Sequence, residues 1–358
     1  MPEESVALTD ANLLGNDLRV AELQPTDFGC WDRFVADCSD ATFFHRAGWK
    51  TVIERAFGHR TCFLFAKAGD RVEGILPLAE VKSVMFGHSL VSLPFCVYGG
   101  IAATTERARR ALDNAARQRA EQLKVGHLEY RSIVSSHSDW DHKDLYVTFR
   151  KEIDPDVERN LLAIPRKQRA MVRKGIKAGL KSNVDGDIER FFVAYADSVH
   201  RLGTPVFSKR YFEILMQVFG PDCEVLTITN SDGRLISSVL SFKFRDEILP
   251  YYGGGTAEAR EVAGNDFMYW EVMRRACERG VRMFDYGRSK RGTGSFDFKK
   301  NWGFEPQQLH YEYLLVAGKS VPDHNPLNPK YQMFIKLWQK MPLRLANLIG
   351  PHIVKSLG

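Results

Sequence analysis

The 358-residue sequence has no long apolar run, few cysteines and no general excess of charge of one sign. Its apolar runs fall far short of the roughly 18 residues that cross a bilayer, so no membrane-spanning chain is expected. The acidic first residues, 1–4, lack the apolar core of a secretory signal. The six cysteines form no pair and no cluster with histidine at metal-ligand spacing, so we expect neither a disulfide framework nor a metal site. These absences predict a cytoplasmic protein.

The positive charge of the sequence is concentrated in two segments. Residues 159–184 carry eight basic residues and no acidic one, and residues 325–358 carry five basic residues and no acidic one. The net charge is only +6, so the rest of the chain is mildly acidic. Two basic patches on an acidic body argue against general DNA binding and favour local capture of an anion.

The first basic segment predicts a helix that begins after Pro165. With 3.6 residues per turn, an apolar stripe lies beside a basic one. The apolar stripe consists of Val172, Ile176 and Leu180. The basic stripe consists of Arg166, Arg169, Arg173 and Lys177. The basic stripe is either a solvated face or a phosphate-binding face. On the second alternative we expect Arg166, Arg169 and Arg173 to contact a nucleotide-linked or lipid-linked substrate.

A faint internal repeat predicts two copies of one mixed α/β unit. In each copy a glycine turn joins two apolar strands, a further strand ends in a Tyr-Gly-Gly run, and a helix leads to a strand with an acidic residue. The tyrosine and the acid are 31 residues apart in one copy (Tyr98 to Glu129) and 33 in the other (Tyr252 to Asp285). We predict units at 20–150 and 155–318, each with hairpins, a crossover helix and a parallel strand.

The tail, residues 325–358, lies outside both copies. Its spacing predicts an amphipathic helix from about Lys330 to Gln339, which Pro342 breaks or restarts. The tail either docks on the body and covers an apolar face, or lies on the inner face of the membrane. In the second case its bases would meet anionic lipid.

The second copy has more polar groups after its Tyr-Gly-Gly run, so we place the active site there. A helix that begins just after a strand has unpaired amides, which suit an acyl carbonyl. Gly253, Gly254 and Gly255 either let the strand bulge and expose amides that bind the acyl carbonyl, or form a plain strand end. Asn265 is either a donor to the bound acyl group or an N-cap.

Other polar residues of the second copy are candidates for catalysis or binding. Asp285, at the end of a strand, is a base, an orienting group for Arg288 or a structural hydrogen-bond acceptor. Tyr252 is a proton donor or part of an aromatic core. Arg288, Lys299 and Lys300 either neutralise a phosphate or carboxylate of the substrate or belong to a solvent-facing loop, and Ser289 is a further binding candidate in the same polar set. Arg201 and Thr204 are expected to shape the acceptor pocket, and the absence of a Ser–His–Asp order favours direct transfer.

Five ordered motifs resemble the FemAB-like branch of the GNAT acyltransferases. They are residues 251–255, 265–270, 284–290, 292–295 and 298–303. The likeness covers about residues 30–316 and is strongest to members beside exosortase (PEP-CTERM) and exopolysaccharide loci. It implies two tandem GNAT-like domains with a C-terminal helical tail.

The resemblance also implies a function. The expected enzyme transfers an acyl or aminoacyl group to an amine or hydroxyl of a cell-envelope or exopolysaccharide precursor, without a tightly bound cofactor. Residues 260–265 lack the R/Q-x-x-G-x-G/A pyrophosphate loop, and no coiled-coil arm for a transfer RNA is present. The donor therefore stays open between acyl-CoA and aminoacyl-tRNA. A non-catalytic binding or scaffold protein of the same machinery is the alternative.

Overall fold

The computed structural model describes residues 18–83, 87–318, 320–321 and 329–356. The helices within them are α1 (Phe28–Asp37), α2 (Gly48–Phe57), α3 (Glu106–Leu123), α4 (Val157–Ala163), α5 (Arg166–Lys177), α6 (Glu189–Arg201), α7 (Lys209–Phe219), α8 (Gly264–Glu278), α9 (Gly294–Asn301), α10 (Pro329–Lys340) and α11 (Leu343–Val354). The strands are β1 (Leu18–Glu22), β2 (Arg60–Ala68), β3 (Arg71–Ser83), β4 (Gly87–Ser92), β5 (Ala102–Ala103), β6 (His127–Ser132), β7 (Asp141–Lys143), β8 (Tyr146–Glu152), β9 (Lys181–Asp185), β10 (Cys223–Thr229), β11 (Leu235–Phe244), β12 (Glu247–Gly255), β13 (Met283–Asp285), β14 (Ser289–Lys290), β15 (Pro306–Gln308) and β16 (His310–Leu315).

The strands form two mixed sheets. The first has the order β1-β2-β3-β4-β6-β16-β7, with β5 beside β3. The second has the order β14-β8-β13-β12-β11-β10-β9, with β15 beside β8. Both contain the predicted repeat: three antiparallel strands, a crossover helix and a strand parallel to the third. The units are β2-β3-β4-α3-β6 and β10-β11-β12-α8-β13. The predicted mixed α/β fold class is confirmed.

The two copies differ where the third strand ends. β12 ends at Gly255 as expected, but β4 ends at Ser92, so the prediction of a strand up to Tyr98 is wrong. The Ser92 hydroxyl accepts the Arg131 amide at 3.0 Å, and the amides of Gly99 and Gly100 donate to the Arg131 carbonyl. These bonds draw the chain out of the ladder, and Tyr98 reaches the other half of the molecule.

Two strands pair in the sheet of the opposite half. β8 runs antiparallel to β13, with Arg150 opposite Asp285. β16 lies in the first sheet between β6 and β7, with Tyr313 opposite Glu129. The division of the chain into units 20–150 and 155–318 stays a prediction, and each sheet is completed by a strand from the other side of that division.

The two halves share one aromatic core. Phe43 of the first half stacks on Phe242 of β11 with 4.4 Å between ring centroids, and Trp49 of α2 lies 5.2 Å from Phe219 of α7. All four side chains are buried. Because this contact is apolar and close-packed, it fixes the position of one sheet relative to the other.

A charged cluster holds β16 in its adopted sheet. His137 lies between two carboxylates, with Nε2 3.2 Å from Asp113 and Nδ1 3.4 Å from the wholly buried Glu312 of β16. Trp140 stacks on the imidazole at 4.0 Å between centroids. Burial alone lowers the pKa of His137, but the two carboxylates outweigh it and raise the pKa to about 9. We call this group the His137 clamp.

The tail packs on the body, as one of the two alternatives expects. α10 and α11 contact α6, where Gln339 donates to the Arg201 carbonyl at 2.8 Å and His200 Nε2 lies 2.9 Å from the Met341 carbonyl oxygen. The two helices meet at Pro342, which restarts the helix as expected. Residues 322–328 and 357–358 lie outside the described residues. Membrane contact stays a prediction.

Candidate active site

β12 and β13 begin as parallel neighbours and then separate. Glu247 pairs with Met283 and Ile248 with Phe284, and among the described residues no further pair joins the two strands. β12 continues to Gly255 along β11, with a bulge at Tyr251. The edge of β12 that faces away from β11 therefore leaves peptide groups beyond Ile248 without a strand partner, in a position to bind an acyl carbonyl.

Packing against two helices explains part of the glycine run. A Cβ atom on Gly254 would lie 2.6 Å from the Ala194 carbonyl oxygen of α6. A Cβ on Gly255 would lie 2.5 Å from the Asn265 side chain of α8, but on Gly253 its nearest contact would be 3.4 Å away. Gly254 is therefore required by the fold, and Gly253 has room for a ligand-binding role. The bulge precedes the glycines instead of lying within them.

The three predicted catalytic residues lie in different environments. Tyr252 is buried in an aromatic cluster, 2.9 Å from the Tyr211 hydroxyl, and burial raises its pKa well above the usual range. This environment fits the aromatic-core alternative. Asn265 is exposed and is the second residue of α8, whose N-cap is Ala263, so the N-cap alternative is wrong. Its role as a donor stays a prediction.

Asp285 lies at the end of β13 with both carboxylate oxygens engaged. Oδ1 accepts the Gly287 amide at 2.7 Å, and Oδ2 accepts the Tyr98 hydroxyl at 3.0 Å and lies 3.4 Å from Arg150 Nε. Complete burial raises the pKa of Asp285, and the Arg150 guanidinium opposes this rise. These contacts fit the orienting and structural alternatives for Asp285, and its role as a base stays a prediction.

Arg288 presents a cation at the meeting point of the two sheets. Its side chain is exposed, its Nη1 donates to the Tyr311 hydroxyl at 3.0 Å, and its guanidinium carbon lies 4.7 Å from the Tyr146 ring centroid. Among the described residues no carboxylate is within ion-pair distance of it. Tyr146 is on β8 and Tyr311 is on β16, so the strand exchange builds the surface on which Arg288 lies.

Lys299 of α9 lies next to Arg288. Its Nζ donates to the carbonyls of Gly287 at 2.9 Å and of Arg288 at 3.0 Å, although part of the side chain remains exposed. Withdrawal from water lowers the pKa of Lys299 to about 7, with Asp285 opposing and Arg288 adding to the fall. A lysine with such a pKa exchanges a proton at neutral pH.

We call Arg288, Lys299, Tyr146 and Tyr311 the junction site. The bulged Tyr251 is linked to it by contacts: its hydroxyl donates to the Phe95 carbonyl at 3.0 Å, and the next carbonyl, that of Cys96, accepts from Arg131, which lies 5.5 Å from the Tyr311 ring. The edge of β12 and the junction site are thus neighbours. The site contains tyrosines that sequence reasoning missed, because no motif marks an isolated tyrosine on a strand.

The other predicted residues lie around or away from the junction site. Ser289 is buried, and its hydroxyl has no partner among the described residues. Lys300 and Thr204 are exposed. Arg201 binds Asp197 at 3.1 Å and the Gly255 carbonyl, so it supports the end of β12.

The basic helix α5 lies beside α8. The Gln168 amide donates to the Asp266 carboxylate in the first turn of α8, and a Cβ on Gly175 would lie 2.7 Å from Phe267 Cβ. Because the two helices approach so closely here, α5 contacts α8 only through the side that carries Val172 and Gly175. Ile176, which was expected to belong to the buried apolar stripe, is 49% exposed. Arg169 donates to the Leu162 carbonyl, whereas the exposed bases of α5 have no ion-pair partner among the described residues; these are Arg166, Lys167, Arg173, Lys174 and Lys177.

Comparison with known proteins agrees with this geometry. Residues 166–300 match the family model described as an acetyltransferase (GNAT) domain. No curated protein matches the chain. The structure is similar to that of FemX, with a TM-score of 0.67, 14% identity, and 88% of this chain and 100% of that chain covered.

Two further solved structures have the same fold. The C-terminal domain (DUF2156) of a putative lysylphosphatidylglycerol synthetase from Agrobacterium fabrum has a TM-score of 0.56 and 12% identity over 80% of this chain and 91% of that one. A tandem GNAT protein from the clavulanic acid biosynthesis pathway has a TM-score of 0.51 and 16% identity over 85% of this chain and 100% of that one. The fold is that of two tandem GNAT-like domains, and residues 166–300 match an acetyltransferase domain of that kind.

Proposed function

We propose that the junction site transfers an acyl or aminoacyl group directly to an amine or hydroxyl of an anionic cell-envelope or exopolysaccharide precursor. The observation that carries this proposal is the position of Lys299 next to Arg288: Lys299 Nζ lies 3.0 Å from the backbone carbonyl oxygen of Arg288. Withdrawal from water lowers the pKa of Lys299 to about 7, and the Arg288 guanidinium has no carboxylate partner among the described residues. One group can accept a proton, and the other can bind an anion.

The contacts suggest a role for each residue. The acyl carbonyl accepts hydrogen bonds from the unpaired edge of β12, which stabilises the oxyanion that develops as the nucleophile attacks. Neutral Lys299 takes the proton of the attacking amine or hydroxyl, and Arg288 holds a phosphate or carboxylate of the acceptor. The new bond forms to the carbonyl carbon as the bond to the donor oxygen or sulfur breaks, and protonated Lys299 returns the proton to the departing atom, without a covalent enzyme intermediate.

The donor that we favour is an aminoacyl-tRNA. The amides at the start of a helix attract a pyrophosphate, but the first turn of α8 already contains the carboxylate of Asp266, which Gln168 and Trp302 hold in place. The negative charge of this carboxylate would repel a pyrophosphate bound there. α5 is about 18 Å long at 1.5 Å per residue, so its unpaired bases extend further than one pyrophosphate needs. Arg166 and Arg173 are the proposed phosphate contacts, with Arg169 behind them.

The acceptor and the location are proposed together. The acceptor is a nucleotide-linked or lipid-linked precursor, and the reaction takes place on the cytoplasmic side of the membrane. None of the helices in the described residues combines the length and apolar character that crossing a bilayer requires.

The test supplies purified protein with labelled acetyl-CoA or a labelled aminoacyl-tRNA mixture and an extract of polar envelope precursors. We expect transfer from the tRNA donor, and its loss in Lys299→Met and Arg288→Ala. Lys124→Met, which alters an exposed lysine at the end of α3 in the first half of the chain, serves as the control. If acetyl-CoA serves as a donor and the aminoacyl-tRNA mixture does not, the donor assignment is refuted. Full activity in Lys299→Met would refute the role of Lys299 as proton acceptor.

A further inference from the structure

The two tail helices bury one face and expose another that is apolar. Trp338, Ala346 and Val354 are at most 6% exposed and pack towards the body. Five large apolar side chains are between 39% and 68% exposed: Met333, Phe334, Leu337, Leu345 and Leu348. We call these five the outer face of the tail. Single exposed apolar residues are ordinary, but a group on two consecutive helices indicates a binding surface.

The outer face is arranged as one stripe on each helix. On α10, Leu337 is one turn from both Met333 and Phe334, and on α11 Leu348 is one turn from Leu345. The opposite side of each helix is occupied by the contact with α6. The stripes therefore face away from the protein core.

Exposed bases border the outer face. They are Lys336 and Lys340 on α10, and Arg344 and Lys355 on or just after α11. None has an ion-pair partner among the described residues, and residues 329–356 contain no aspartate or glutamate. An apolar stripe flanked by unpaired cations is the pattern of a helix that lies in a membrane interface.

We propose that the outer face of the tail docks on an anionic phospholipid surface. Its apolar side chains enter the boundary between headgroups and acyl chains, and the four bases contact lipid phosphates. A second copy of the chain is a poorer occupant, because a twofold interface would bring these bases close to their own equivalents. The α6 contacts would make the whole protein, not only the tail, take one orientation on the surface.

The inference goes beyond acyl transfer, and its test needs no donor or acceptor. The full chain is sedimented with vesicles of phosphatidylcholine, with or without about one third phosphatidylglycerol. We expect binding only to the anionic vesicles, and release as salt shortens the Debye length from about 10 Å at 0.1 M to about 3 Å at 1 M.

Substitutions of exposed residues separate the two contributions. Lys336→Gln with Arg344→Gln should lower the partition coefficient about 25-fold, because each base contributes about five-fold, or about 1 kcal/mol. Leu337→Gln with Leu348→Gln should lower it at least about ten-fold. Val134→Gln is the matched control, because Val134 is 73% exposed in the first half of the chain.

The outcomes are distinct. Circular dichroism should show that all variants stay folded, because every altered side chain is exposed. No binding by the wild type, or equal binding by the leucine variant, would overturn the proposal. So would sedimentation velocity that shows a dimer which the leucine variant converts to a monomer. Because no transfer is measured, failure here would leave the proposed reaction standing.

Discussion

The lowered pKa of Lys299 can be tested without knowledge of the substrate. An ordinary lysine with a pKa of about 10.4 is neutral in about one molecule in 2,500 at pH 7. Lys299, with a pKa of about 7, is neutral in about half of the molecules at that pH. The structure therefore predicts a gain of about a thousand-fold in the neutral amine that the proposed mechanism requires.

The assay is trace labelling with acetic anhydride, which reacts with neutral amines only. Protein is labelled in competition with a reference amine at a series of pH values, and the modified peptides are quantified by mass spectrometry. We expect the reactivity of Lys299 to be half-maximal near pH 7. Half-maximal reactivity only near the usual value of about 10.4 would refute the reasoning.

A neighbouring substitution tests the cause of the shift. The Arg288 charge lowers the pKa of Lys299, so Arg288→Gln should move the half-maximum to higher pH. Withdrawal from water is the larger cause, so the half-maximum should not return to the ordinary lysine value. A complete return would show that the Arg288 charge, and not burial, controls this lysine.

Other residues give predictions about stability. The folded pKa of His137, about 9, is above the usual value, so the clamp is complete below about pH 6.5 and is lost as the pH rises through 9; urea unfolding at a series of pH values should show this decline, and His137→Gln should flatten it. Gly254→Ala should cost about 1–3 kcal/mol in the same assay because of backbone overlap with α6, and an equal loss in Gly253→Ala would contradict this. Tyr98→Phe removes a buried hydroxyl 3.0 Å from Asp285 and should cost about 1 kcal/mol, with a larger loss of transfer; unchanged transfer would show that this contact does not position the site.

The repeat could be predicted from the sequence because its signals are local. Glycine turns, a Tyr-Gly-Gly run and an acidic residue at a strand end each depend on a few neighbouring residues. The same signals placed Asp285 beside Arg288 within one turn, and Lys299 among the candidates. The role of these residues in catalysis or binding stays a prediction.

The partners of distant residues could not be predicted. The seven residues of β8 contain no signal that predicts their pairing with β13, which lies more than 130 positions later in the chain. Ile176 continues the apolar period of α5, but the contact with α8 is narrowed by Gly175, so the periodicity was misleading. The bonds that draw Tyr98 out of the ladder involve Arg131, which no local signal connects with it.

The placement of β16 has a consequence for synthesis on the ribosome. Until residue 315 has left the ribosome, β6 has no β16 to pair with, so the backbone groups along that edge of the first sheet have no strand partner. In the same way, β8 has no partner until β13 has been made. The nascent chain therefore exposes edges that invite aggregation for most of its translation. Tyr311, which accepts a hydrogen bond from Arg288, is among the last residues of the sheet to be made, so a chain stalled before it would lack a complete junction site, however well its earlier helices form.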